Sequence, residues 1–243
     1  MLPSATPAIT QIVYGDAAVM IEVSGSDLET RRAVTRALRK AVLTDTPRGV
    51  VDVVGGLESV LVRFDCAQVI HDDVSRDLDR LIGAIVHTDG DDTAARHFLV
   101  PTVFGGEHGP DLAPVAGELG LTEDELVDLF TSASMTVDVL GSGIAPMMHG
   151  ATFPGSVARC RTPRANVAAG AVMVAGHNAI IGPAPGPSGW RILGRTPLAL
   201  FDIHRDPVVH YTPGDIFRFR AVSESEWSTL AGRPLEPVGA LTS

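Results

Sequence analysis

Positive charge is scarce in this sequence: 19 lysines and arginines stand against 29 aspartates and glutamates in 243 residues, a formal net charge of -10. That balance repels phosphate backbones and anionic headgroups, which excludes nucleic acid and membrane surfaces as expected partners. Long hydrophobic runs are absent too. The longest, residues 168–176, falls far short of the roughly 20 residues that a membrane-spanning helix needs. The opening MLPSATPAIT has neither a basic stretch nor an apolar core, so no secretory signal is expected and the cytoplasm is the expected compartment. Cysteine is limited to Cys66 and Cys160, too far apart for a redox motif or a zinc knuckle, and no metal site is expected. Arg159 and Arg161 would activate the Cys160 thiol only if all three faced one cleft, so a structural thiol is the preferred reading. No Gly-x-Ser-x-Gly elbow lies between a strand and a helix and no Cys-His pair is evident, which leaves covalent catalysis without support.

Apolar residues make up 45% of the chain, enough for a sizeable core. Residues 9–13 and 17–23 read as strands around Gly15-Asp16, and Ser26 with Glu29 carries a capping-box signature for a helix reaching residue 43. Residues 50–54 and 60–64 alternate across Gly55-Gly56 as a hairpin, Val74, Leu78, Leu81, Ile82 and Ile85 recur at helical spacing, and residues 98–103 add a strand. This succession predicts an α+β fold opening with a ferredoxin-like sandwich of order βαββαβ over residues 1–103. A helical bridge is expected over 104–134, with one helix near 111–118 and another opened by Thr122 and Glu125. Beyond it, short apolar segments alternate with Gly and Pro at 135–140, 171–175, 179–181, 190–193, 198–201, 208–211 and 216–219. Such strands leave exposed edges unless they close, so a β-barrel is expected over 135–222. Residues 223–243, polar with Pro234 and Pro237, read as a loose tail.

Four groups carry candidate chemistry. The segment GSGIAPMMHG at 141–150 could form an amide nest for an anion, but no Gly-Lys-Ser/Thr follows it, so a plain barrel loop is preferred. His149 at its end suits proton transfer near neutral pH, or is an ordinary surface residue. His108, beside Glu107 and near Asp111, makes either an acid–imidazole group or a turn in which Asp111 caps a helix. Arg161, Arg164, Arg191 and Arg195 offer guanidinium groups for a planar carboxylate or phosphate. Arg195, held between Gly194 and Thr196-Pro197, is the strongest of them. Ser188, Gly189 and Trp190 add a hydroxyl, a flexible link and a flat apolar face, with barrel core the alternative for Trp190.

The stretch PRANVAAGAVMVAGHNAIIGPAPGPSGWRILGRTPLALFD at 163–202, with Val100-Pro101, GGEHGPDL at 105–112 and Pro213-Gly214-Asp215, resembles allophanate hydrolase subunit 1. That family is also known as the B-type subunit of 5-oxoprolinase and includes a bacterial sporulation-kinase inhibitor. The resemblance implies a ferredoxin-like domain joined to a cyclophilin-like barrel. It also implies a homologous second polypeptide, of the allophanate hydrolase subunit 2 or C-type 5-oxoprolinase kind, the pair being similar to the carboxyltransferase part of biotin-dependent urea carboxylase. The activity implied is hydrolysis of allophanate or, with ATP and a third subunit, of 5-oxoproline. Where relatives carry Gly-Phe-x-Pro-Gly-Phe-x-Tyr-Leu this chain reads GSGIAPMMH, and their Ser-Pro-Gly-Gly-Trp corner is Gly186-Pro187-Ser188-Gly189-Trp190 here. The missing aromatics imply altered specificity or no activity for the chain alone.

The expected function is therefore a subunit of an ATP-linked hydrolase of carbon–nitrogen bonds acting on a small anion. Arg161, Arg164, Ser188, Gly189, Trp190 and Arg195 are its candidate substrate contacts and His149 its candidate proton carrier; ATP is expected on this chain or on a partner subunit. The alternative is a regulatory module that binds a histidine kinase and has no activity of its own.

Overall fold

Alternating valines and isoleucines build the first sheet of the computed structural model, which describes residues 6–86, 95–141 and 144–239. The chain divides into two units, Met1–Ala94 and Ala95–Ser243. The first contains β1 (Ala8–Val13), β2 (Ala18–Ser24), α1 (Leu28–Thr44), β3 (Val50–Gly55), β4 (Ser59–Phe64) and α2 (His71–Val86). Its sheet is antiparallel in the order β1-β2-β4-β3. Val19, Ile21 and Val23 of β2 and Val60 and Val62 of β4 point to one face, where Leu38 and Val42 of α1 and Val74, Leu78 and Leu81 of α2 meet them in a single core. The cap of α1 lies one residue later than the expected Ser26: the Asp27 carboxylate accepts the Thr30 N–H at 2.9 Å.

The second unit runs β5 (His97–Phe104), α3 (Leu112–Leu119), α4 (Glu123–Ser132), β6 (Met135–Gly141), β7 (Ala145–His149), β8 (Arg164–Val167), β9 (Ala171–Ala175), β10 (Asn178–Ile181), β11 (Gly186–Ser188), β12 (Arg191–Arg195), β13 (Ile216–Ala221) and α5 (Glu224–Leu230). Seven of these strands close a barrel in the order β10-β7-β6-β13-β5-β12-β9, and β8 pairs with β11 beside it. The fold is thus α+β with a closed barrel. The strand expected at 98–103 to complete the first unit is β5, and it belongs to the barrel. Within the first sheet β1 already occupies the edge beside β2, and β5 instead runs parallel to β13 from His97 to Thr102.

The helices between β5 and β6 are more than a bridge. Leu112, Val115 and Ala116 of α3 and Leu126 and Phe130 of α4 share one core with Val100, Val137, Val172, Leu193 and Phe217 of the barrel. The Phe130 ring meets Phe219 edge-on at 4.8 Å. Thr122 and Glu125 form the expected capping box, and the Glu125 carboxyl is held below its ordinary range by the Thr122 N–H. Two expected strands, 198–201 and 208–211, are turns and loops, while β7, β8 and β11 were not anticipated. The tail expected beyond residue 222 carries a helix and strand bridges among its described residues. Ser223 and Glu226 box the start of α5, Leu235 is buried, and bridges join Ala199 to Pro234 and Phe98 to Pro237.

Tyr211 fixes the end of the β6–β7 hairpin from inside. Its ring is fully buried between Phe98 and Phe217, and its hydroxyl donates to the Ile144 carbonyl at 2.7 Å. Burial pushes the phenol pKa above its ordinary value. A group with a raised folded pKa contributes stability that is complete below the unfolded value, about 10 for tyrosine, and lost as pH climbs toward the folded value. Tyr211→Phe should therefore lower stability near neutral pH by about 1–2 kcal/mol, through the orphaned Ile144 carbonyl, and should weaken the fall in stability above pH ~10. Urea unfolding at pH 7, 9 and 11 measures both; identical pH curves for variant and native protein would refute the assignment.

Candidate anion-binding site

The turn at Ala168-Ala169-Gly170 and the end of β12 hold Arg195. Gly170 has φ +80°, which lets its carbonyl accept the Thr196 N–H at 2.9 Å and its N–H reach the Gly182 carbonyl at 2.7 Å. Arg195 Nε donates to the Ala169 carbonyl at 2.8 Å, and its guanidinium carbon lies 5.0 Å from the centroid of the Trp227 ring. His108 stacks on the same tryptophan, 4.6 Å between centroids and 23° between planes, with its Nε2 3.5 Å from Glu224 Oε1. Beside this group is a pocket of about 330 Å³ whose lining includes Pro183, Arg195, Thr196, Pro197, Leu198 and Trp227. Among the described residues no carboxylate pairs with Arg195, so its remaining N–H groups are available to an anion.

The other arginines behave differently. Arg164 donates to both oxygens of the buried Asp111 carboxylate, at 2.8 and 2.9 Å, and Asp111 also accepts the Ile192 N–H at 2.8 Å. Hydrogen bonding to Asp111 raises the Arg164 pKa, against the opposing effect of burial. Arg191 lies 3.6 Å from the same carboxylate and bonds Glu118 at 2.9 Å. These two guanidinium groups are internal pairs, contrary to the expectation that they face a ligand. Asp111 does not cap α3 with its side chain, since Arg164 and Ile192 consume both oxygens. His108, expected beside Glu107 and Asp111, faces Trp227 and Glu224 instead.

Ser188 sits opposite Arg164 in the β8–β11 pair, and its hydroxyl accepts the Trp190 N–H at 3.1 Å. Gly189 is buried, and Trp190 packs against Val167, Ala171, Met173 and Ile192, the core reading of that residue. Cys160 accepts from Arg164 at 3.2 Å within this cluster, which is a structural setting for its thiol. Arg161 is exposed. None of these residues lines the Arg195 pocket. Ser142 and Gly143 of the glycine-rich segment lie outside the described residues. Its 145–149 portion is strand β7, bonded to β6 on one side and β10 on the other, so those amides form no anion nest. His149 Nδ1 lies 2.8 Å from Oδ2 of Asp138, a side chain 1% exposed. That pair fixes the imidazole ring, and it too lies outside the pocket lining.

The family model for the carboxyltransferase domain, subdomain C and D, matches residues 9–211. The chain belongs to that family. Within it, the B-type subunit of 5-oxoprolinase from Escherichia coli O157:H7 is 31% identical over 214 residues, covering 85% of this chain and 93% of the relative. Its counterpart in Bacillus subtilis (strain 168), of the same B type, is 28% identical over 224 residues, covering 88% and 92%. The crystal structure of K. lactis urea amidolyase superposes with a TM-score of 0.74 at 20% identity, covering 94% of this chain and 16% of that one, a likeness of fold. In this family member, two residues of the candidate chemistry had escaped sequence reasoning. Trp227 lay in the expected tail, where Ser223 and Glu226 spaced as a capping box could have revealed a helix. Asp138 lay within an apolar strand, where a lone carboxylate amid valines and leucines signals a buried partner.

No helix among the described residues is long and apolar enough to cross a membrane. Among the same residues no group of three His, Cys, Asp or Glu is placed to hold a metal ion.

Proposed function

We propose that this chain is the B-type subunit of a complex that hydrolyses a carbon–nitrogen bond in a small anion, 5-oxoproline or allophanate, and that it works in the cytoplasm with a homologous C-type subunit. The observation that carries the reading is Arg195: among the arginines of the second half, it combines freedom from acidic partners with a pocket and an aromatic wall. Its guanidinium holds the substrate carboxylate, and residues of the partner complete the reacting centre. In fold terms we read the first unit as a ferredoxin-like sandwich whose edge is supplied by β1, and the barrel as cyclophilin-like. ATP fits this chain poorly. The amides of 145–149 are spent in strand pairing and Arg164 and Arg191 in ion pairs, so the nucleotide belongs on a partner subunit.

The test is co-purification of the native complex followed by turnover assays with 5-oxoproline and with allophanate, with and without ATP. We expect a barrel-containing partner, and ATP consumption that depends on 5-oxoproline. Arg195→Ala should raise KM by about 10–100-fold with kcat changed far less, since a carboxylate contact contributes equally to ground and transition states. Unchanged KM in that variant removes Arg195 from the site. A stable complex with a histidine kinase and no turnover of either compound overturns the enzymatic reading in favour of a regulatory module.

A further inference from the structure

We propose that Trp227 of α5, braced by His108 from the turn after β5, completes with Arg195 a carboxylate-binding subsite for a small, ring-shaped acid. For the identity of the natural ligand alone this rests on the function proposed above. Arg195 Nε is committed to the Ala169 carbonyl, which fixes the plane of the guanidinium and leaves its Nη groups as a preset fork for two carboxylate oxygens. Trp227 lies beside that cation and lines the same pocket, and the His108 ring stacked on the indole fixes its position. His108 lies outside the pocket lining, with its Nε2 3.5 Å from Glu224, and acts by holding the indole in place. Pro183, Pro197 and Leu198 supply apolar surface beside the fork. At about 330 Å³ the pocket lies at the low end of the ~300–1,000 Å³ range of ligand sites, which suits a single small ring. The arrangement selects a carboxylate by charge and a ring by shape. It places specificity in α5.

The chain has two tryptophans, so Trp190→Phe leaves Trp227 as the sole indole reporter. The full-length variant, alone and in its co-purified complex, is titrated with 5-oxoproline, cyclopentanecarboxylate, pyrrolidone and inorganic phosphate while indole fluorescence is followed. Calorimetric titration of the native chain and complex repeats the comparison without any substitution at position 190. We expect saturable responses to the two ring carboxylates and none to pyrrolidone, which keeps the lactam and lacks the carboxylate. In Arg195→Gln the affinity for both acids should fall by about tenfold or more, and in His108→Ala by about three- to tenfold. An equal response to pyrrolidone, an equal response to phosphate, no response to either acid, or undiminished affinity in Arg195→Gln would each overturn the subsite. Turnover of 5-oxoproline without these responses removes the subsite and leaves the enzymatic function standing. Carboxylate binding without turnover does the reverse.

Discussion

Asp111→Ala is expected to destabilise the second unit by about 2–4 kcal/mol, because it removes a buried carboxylate that ties the mostly buried Arg191 and the half-buried Arg164 to a buried strand N–H. Asp111 is 7% exposed. It accepts two N–H groups from Arg164 and one from Ile192, and Arg191 approaches to 3.6 Å. Among the described residues, removing the carboxylate leaves Arg164 with only Cys160 and Arg191 with only Glu118. It also strips the Ile192 N–H of its acceptor in a buried strand. Arg164→Met, which keeps much of the stem and deletes the charge, should be milder, since that side chain is already 35% exposed. Both tryptophans, Trp190 and Trp227, lie in the second unit, so their fluorescence in a urea titration reports that unit directly. A shift below about 1 kcal/mol for Asp111→Ala would show that the cluster is hydrated and weakly coupled, and would return Arg164 to the set of arginines open to a ligand.

That cluster also explains how far the site could be read from sequence. Local rules worked where the physics is local: the alternation of Val19, Ile21 and Val23 marks β2, and Thr122 with Glu125 marks the start of α4. They failed where a partner comes from far along the chain. Arg164 and Asp111 stand 53 residues apart, and nothing in either neighbourhood separates a guanidinium awaiting a ligand from one already paired. Arg195 was legible as a constrained arginine because Gly194 and Pro197 surround it, but its tryptophan was not. Trp227 reaches it through α5, whose polar exterior and flanking prolines resemble a tail. β7 was missed for a related reason. GSGIAPMMHG reads as punctuation by its glycines and proline, yet Ala145–His149 pairs on both sides, because closure of the barrel rewards a strand there whatever its intrinsic propensity. The first unit shows the opposite error, in which a correctly located strand at 98–103 was given to the nearer sheet. Adjacency in sequence is a weak guide once β1 has taken the available edge.

Gly170→Ala should lower the stability of the second unit by about 2–4 kcal/mol and weaken carboxylate binding together, which links the backbone turn to the proposed site. At φ +80° a side chain is already strained, by about 1–2 kcal/mol for an ordinary L-residue. The added methyl would also lie inside the contact distance of the Thr196 carbonyl, a rigid backbone atom that cannot swing aside. Relief requires the 168–170 turn to move away from the end of β12. That movement breaks the Thr196 N–H bond to Gly170 and carries away the Ala169 carbonyl that orients Arg195. Affinity for a ring carboxylate, measured on protein that is still folded, should therefore fall by about tenfold even though no group that touches the ligand has been changed. Gly117→Ala is the matching control: it lies in α3 with nothing within 4 Å of the new methyl and should stabilise the protein by about 0.5–1 kcal/mol. If Gly170→Ala loses stability but binds carboxylate normally, Arg195 is oriented by the Trp227 face and not by the turn. If it retains both, the turn adapts at no cost and the 168–170 backbone does not define the pocket.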